Sequence, residues 1–450
     1  MRRAGQRRGA GNIGAGGGGG AGEPGPSAEG LRQAVEQLLL QLGRTLLRDG
    51  GDGSPRAGLA DGSLSPRLLL RQLLALVYRL LFLLLAEGRQ LLPGPWCDAG
   101  ARQRYQELCS LHGLLGEVVA AAAGQRSPTT TSPGAWERLQ VTSAGLCRGC
   151  PELGLPVLGS WLWSDEAVPW LGRVRPSEEE LLAALAPLAA LARLATPPRS
   201  SEGADGSEWA RVEVEQLGRL HESLLELEPE VDPAAGDFHL RSTAHHQRRA
   251  AGSYYTPPEL VGCLLDVALE PLLDERLAAA ATPSAREQAL LGLRLCDPAC
   301  GAGSFLLAAG RRIARRLAGE RATGPPGPSA EEQRAALGEV AERCLFGVDL
   351  DPLAVELVKV GLWLELGRPE LPLSSFDGLL RRGNALLGAT PSLLAGSGLS
   401  PGSSDDADRW CASFFFPPCP TPPAAATVSG AAAPVARLAR EQGFLHWHLE

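Results

Sequence analysis

From Asp297 to Phe305 the chain reads Asp-Pro-Ala-Cys-Gly-Ala-Gly-Ser-Phe. Gly301 and Gly303 take side chains away from this turn, so a ligand can approach the backbone. The N–H groups that open the next helix favour a carboxylate or a phosphate. Asp297, at the end of a short apolar run, can accept a hydrogen bond from an ammonium. Together these groups suit an amino-acid moiety, which carries both charges. Asp349 ends a second apolar run, Phe346-Gly347-Val348-Asp349. An acid there can hold both hydroxyls of a ribose, each charge-assisted bond contributing about 1.5–3 kcal/mol. An amino acid joined to a ribose describes S-adenosylmethionine. A nicotinamide dinucleotide is the rival ligand, but its fingerprint is G-x-G-x-x-G, and Gly301-Ala302-Gly303-Ser304-Phe305-Leu306 lacks the third glycine.

Other chemistries find less support. Cys109, His112, Cys147 and Cys150 would need a long spacing to form a zinc quartet; ten scattered cysteines read as reduced thiols, and no metal site is expected. His446 and His448 are half a metal site. Arg311, Arg312, Arg315 and Arg316 read as a solvated helix face rather than a phosphate contact. The restriction type of nuclease needs a lysine beside acids, and the single lysine, Lys359, falls within a helix.

The elements around the turn define an α/β class. Leu293–Cys296 reads as a buried strand, Ser304–Leu317 as the next helix, Glu331–Ala341 as another, Cys344–Val348 as a strand and Pro352–Leu366 as a helix. Strand and helix alternating at this spacing predict a parallel sheet of the doubly wound kind, which binds ligands at the carboxyl ends of its strands. Pro257–Leu277 reads as a helix opened by proline. Upstream the pattern is helical, with helices expected over 33–47, 66–92, 101–123, 178–194 and 208–227. Trp161, Trp163 and Trp170 read as anchors that pack a loop onto those helices. Residues 1–29 read as a disordered Gly/Arg-rich tail, 30–240 as a helical domain and 250–450 as the ligand-binding domain. Residues 390–432 read as an irregular insertion in which Phe414, Phe415 and Phe416 dock on the domain, with a short helix at Val435–Phe444.

Composition sets outer bounds. The chain has 450 residues, 44% of them apolar, enough for real cores. Its 55 glycines and 36 prolines predict long loops. A net charge of −8 argues against tight binding of nucleic acid by this chain alone. Leu68–Leu85 is leucine-rich, but Arg71 and Arg79 interrupt it, so a buried helix is expected rather than a membrane span. With no apolar leader near the start, a cytoplasmic protein without membrane contact is expected.

The run at Asp297–Phe305 resembles motif I of the amino-group DNA methyltransferases. Gly252–Glu259 resembles their motif X, Gly347–Pro352 motif II and Gly383-Asn384-Ala385-Leu386 motif III. The order is similar to that of adenine-specific enzymes of type IIG restriction–modification and related phage defence, and Tyr78–Glu87 and Leu220–Glu226 look like their helical region. The resemblance implies a methyl transfer from S-adenosylmethionine to the exocyclic amine of adenine in DNA. It implies a cofactor site of Tyr255, Thr256, Asp297, Pro298, Ala299, Cys300, Gly301, Gly303, Phe305, Asp349 and Asn384. Tyr255 and Thr256 would line the methionine end, Asp349 the ribose, and Asn384 the adenine amine. The family also uses Asn/Asp-Pro-Pro-Tyr/Phe, which occurs nowhere in the sequence. No catalytic residue is therefore assigned, the methyltransferase domain is expected to be incomplete, and the chain alone is expected to be inactive. DNA contact would lie mostly in parts outside this chain, and a complementing polypeptide would supply the missing motif and cover an open strand edge. The alternative is a non-catalytic scaffold or split-enzyme subunit that binds the cofactor.

Overall fold

The computed structural model describes residues 27–48, 50–124, 133–194, 208–242, 256–322, 324–412 and 432–446. The N-terminal tail, Tyr255, Phe414–Phe416 and His448 lie outside the described residues, and with them the expectations placed there.

The N-terminal region consists of α1 (Ala28–Leu47), α2 (Pro55–Asp61), α3 (Pro66–Gly88), α4 (Ala99–Leu108), α5 (Leu111–Ala122), α6 (Ala135–Arg148), α7 (Glu178–Leu194) and α8 (Val214–Leu224). Their boundaries follow local chemistry. Ser27, Ser54, Ser65, Asp98 and Ser110 each cap a helix by accepting an N–H from its first turn. α3 is long and apolar enough to cross a membrane, yet nearly all of it is enclosed by its neighbours. Its Phe82 lies edge-on to Trp163 at 5.1 Å, and Arg79 donates to the carbonyls of Leu162 and Ser164, each at 2.7 Å. The tryptophan loop is thus anchored onto the helices, as its composition implied.

Three sequence expectations are corrected here. The helix expected over 101–123 is two helices, because Ser110 restarts the chain and the buried Glu87 carboxylate takes the N–H groups of Leu111 and His112 at 2.7 and 3.0 Å. The helix expected over 208–227 starts only at Val214, where Glu213 and Gln216 form a capping box. After it comes an antiparallel hairpin, β1 (Leu227–Asp232) and β2 (Asp237–Ser242), where the sequence suggested helix. Asp232 accepts the N–H groups of Ala234 and Ala235, which closes the hairpin turn.

Downstream run α9 (Pro258–Ala268), α10 (Glu270–Ala278), α11 (Pro283–Leu291), β3 (Leu295–Asp297), α12 (Ser304–Arg321), α13 (Ala330–Cys344), β4 (Leu345–Asp349), α14 (Pro352–Leu366) and β5 (Leu380–Arg382). Pro271 follows the junction of α9 and α10, so the single helix expected over 257–277 is also two. Then come α15 (Pro391–Gly396), α16 (Ser404–Ala412) and α17 (Ala432–Gln442), so part of the expected irregular insertion is helical. β3, β4 and β5 form a parallel sheet in chain order, with Asp297 opposite Gly347 and Asp349 opposite Arg382. The fold is α/β, as the alternation required.

One apolar core runs through both regions. Val214 of α8, Leu307 of α12 and the glycine step at Gly361 in α14 meet closely: a Cβ on Gly361 would lie 2.7 Å from Val214. Ionic ties reinforce the junction. Arg311 on α12 binds Glu215 of α8 and Glu365 of α14. Lys359 binds Glu356 at 2.8 Å and Asp377 at 2.6 Å, and Glu356 also accepts the N–H of Leu162. The helical region is therefore a wall against which the sheet is built.

Candidate cofactor site

Three strand ends converge on Asp349. The N–H of Cys300 donates to the Val348 carbonyl at 2.9 Å, which holds the turn after β3 against β4. Asp349 Oδ2 accepts the N–H of Gly301 at 2.8 Å, and its Oδ1 accepts the N–H of Asp351 at 2.9 Å. The Asp349 carbonyl accepts the N–H of Gly383 at 2.9 Å, so Asn384 begins beside it. Asp297, Gly301, Asp349 and Asn384, scattered over the sequence, thus stand in a row along the carboxyl ends of the sheet.

The turn is built to leave its backbone bare. Gly301 has φ +52 and Gly303 φ +87, a region that L side chains rarely adopt. α12 opens at Gly303 with no side-chain cap, so the first N–H groups of an 18-residue helix face the turn with their partial positive charge. Pro298 and Ala299 are exposed on the rim, and the Ala299 N–H donates to Asp297 at 3.1 Å. The side chains of Cys300 and Phe305, both expected at the ligand, pack on apolar neighbours. Cys300 is buried under Gly347, where burial pushes its thiol pKa up, and Phe305 packs on the core. These two prop the turn from behind.

Thr256 is half-buried just before α9. Arg312 fastens α9 to α12 by donating to the Gly262 carbonyl at 3.1 Å and pairing with Asp266 and Glu270. Arg316 pairs with Glu270 and Asp274 at 2.7 and 2.9 Å. The arginines read as a solvated face are therefore mostly occupied within the molecule. Asn384 Oδ1 accepts the N–H of Leu386 at 3.0 Å and shapes a turn, which leaves that oxygen one further lone pair.

Sequence reasoning missed the contribution of α8. Gly218 lies against Ala302, to which an added Cβ would come within 3.2 Å, and Glu222 Oε1 faces the bare side of Gly301. The neighbouring His221 is 2% exposed; its Nδ1 is 2.8 Å from the Tyr78 hydroxyl and its Nε2 3.4 Å from Asp351 Oδ2. Asp351 in turn caps α14 through the N–H of Leu353. The only signal for this in the sequence was the run Leu220–Glu226.

The electrostatics are one-sided. Burial raises the pKa of Asp297, its bond from Ala299 opposes this, and the charge of Asp349 adds to the rise. Burial raises Glu222 as well, with His221 opposing. Among the described residues no Lys or Arg pairs with Asp297, Asp349 or Glu222. An arrangement with surplus negative charge on one side and uncapped helix N–H groups on the other fits a zwitterionic ligand. Elsewhere, His112 Nδ1 lies 2.6 Å from Glu87, and no cluster among the described residues could hold a metal ion. His446 accepts the Ala389 N–H at Nδ1 and meets Asp408 at Nε2, 2.9 Å away.

Comparison with known proteins adds a family. Residues 234–365 match the N-6 DNA Methylase family. A putative type II restriction enzyme and methyltransferase of Methanocaldococcus jannaschii is 25% identical over 228 residues, which are 41% of this chain and 17% of that protein. The chain therefore spans a minor part of that relative. The type IIL restriction–modification enzyme MmeI, solved in complex with DNA, aligns over 89% of this chain and 46% of its own, with 16% identity and a TM-score of 0.36. The stretch that matches the N-6 DNA Methylase family contains the glycine turn, Asp349 and the helices that position them.

Proposed function

We propose that this chain holds S-adenosylmethionine for methylation of the exocyclic amine of adenine in DNA, as the cofactor half of a restriction–modification or phage-defence methyltransferase. When bound, the cofactor supplies an electrophilic methyl group; the residues described here bind and orient it. Asp297 accepts the ligand's ammonium, and the open N–H groups of α12 take its carboxylate. Asp349 takes the ribose hydroxyls on lone pairs left free by Gly301 and Asp351. Thr256 and Tyr255 close the methionine end, and Asn384 accepts from the adenine amine with its remaining lone pair. Residues 30–240, mostly helical and ending in the β1–β2 hairpin, are assigned to the N-terminal domain and 250–450 to the methyltransferase domain. Its sheet is doubly wound once a strand joins the free side of β3, and that strand carries the Asn-Pro-Pro-Tyr type of motif that binds a flipped adenine.

The observation that carries the proposal is the bond from Gly301 to Asp349, which joins the bare turn to the acid that ends the neighbouring strand. Calorimetric titration of the full chain tests it. S-adenosylmethionine should bind, Asp349→Ala should abolish the heat, and NAD should give none. Binding of NAD, or equal binding by the variant, refutes the reading.

A further inference from the structure

The helical region brings a carboxyl group close to the glycine turn. Glu222 stands near the end of α8 on a different segment from the sheet, with its Oε1 directed at Gly301: a Cβ added to that glycine would lie 3.9 Å away, in open van der Waals contact. Its Oε2 is wholly enclosed, and no hydrogen-bond partner meets it among the described residues. A buried carboxylate oxygen without a partner is costly to maintain and calls for a reason. α8 cannot easily turn the group away. It is fixed by Gly218 against Ala302, by Val214 against Gly361, and by Arg311, which binds Glu215. His221, one residue earlier, is locked between Tyr78 and Asp351.

Glu222 therefore approaches the bare turn from α8, and Asp349 touches the same glycine from the sheet. Two carboxylates bracket Gly301 and a third, Asp297, precedes the turn. A neutral or anionic ligand would have no use for the third acid, whereas a cationic centre would satisfy it.

We propose that Glu222 is a binding residue that receives the positively charged end of the ligand, its sulfonium or its ammonium, so that the helical region completes the cofactor site. This inference rests on the reading of the site as an S-adenosylmethionine site. It predicts that the isolated sheet region would bind the ligand poorly even if it folded.

The test is titration of the full chain with S-adenosylmethionine, S-adenosylhomocysteine and adenosine, comparing wild type with Glu222→Gln and Glu222→Asp. A charge-assisted bond to a buried cation lost to the neutral amide should weaken S-adenosylmethionine binding about tenfold or more. Adenosine, which has neither cation, should bind all forms alike. If the sulfonium is the target, S-adenosylhomocysteine should lose little; if the ammonium is, it should lose as much. Glu222→Asp keeps the charge and should retain most of the affinity. Unchanged affinity in Glu222→Gln overturns the inference while leaving the site intact, as does equal weakening by the Gln and Asp variants or an equal loss for adenosine. Failure of the wild type to bind S-adenosylmethionine removes the proposed function and this inference with it.

Discussion

Replacing Gly303 by alanine should cost more stability than replacing Gly301, although only Ala302 separates them in one turn. Gly303 has φ +87, and a Cβ there would lie 2.8 and 2.9 Å from Cγ1 and Cγ2 of Val358, a β-branched side chain fully buried on α14. The left-handed backbone costs an L residue about 1–2 kcal/mol. Val358 has one preferred rotamer in a helix, so it cannot turn aside, and forcing a methyl into such packing adds about 1–3 kcal/mol. The expected loss for Gly303→Ala is therefore about 2–5 kcal/mol. Gly301 has φ +52, but a Cβ there would meet nothing nearer than Glu222 at 3.9 Å. Only the backbone cost of about 1–2 kcal/mol applies to Gly301→Ala. Urea unfolding followed by tryptophan emission would compare the two midpoints at matched slopes. Gly303→Ala should unfold at clearly lower urea. Equal midpoints, or a greater loss for Gly301→Ala, would refute the placement of this turn against α14.

Asp297→Asn should raise the melting temperature at neutral pH while weakening ligand binding. Burial and the Asp349 charge lift the pKa of Asp297 above the ordinary carboxylate range, so its ionised form burdens the fold above that pKa; the burden disappears as pH falls through it, and the advantage of Asn should vanish there in thermal melts. Glu87→Ala should lose about 3–5 kcal/mol, because it strands the buried Tyr105 hydroxyl and the first N–H groups of α5; a loss within 1 kcal/mol in denaturant titration would count against this network. Arg311→Ala leaves Glu365 enclosed without its partner. Since burial already raises the Glu365 pKa, protonation should relieve the variant, and its stability deficit should shrink as pH is lowered; a deficit indifferent to pH would contradict the clamp.

Much of the site could be read from the residues. The Asp-Pro-Ala-Cys-Gly-Ala-Gly run and the acid at Asp349 are local signals, and local chemistry decides those positions. Helix junctions were harder. Apolar periodicity runs straight through Ser110 and through Leu269, and what splits the helices is a capping hydroxyl, a distant carboxylate or a proline rather than any break in the pattern. The hairpin at Leu227–Ser242 fell at the end of a region read as mostly helical, although Asp232, Pro233 and Gly236 carried a turn signal. Cys300 and Phe305 lie within the glycine-turn run, but which side of the turn each takes depends on β4 and the core behind it. Glu222 was out of reach for a related reason. Its meeting with Gly301 is made by packing of α8 on α14 and α12, contacts between residues far apart along the chain.

A crystal of the full chain soaked with S-adenosylmethionine tests the central claim most directly. Density should fill the space between the bare turn at Gly301 and the carboxylate of Asp349, with the ribose on Asp349 and the methionine end over the start of α12. A ligand bound elsewhere, or a saturated crystal in which that space stays empty, would contradict the account.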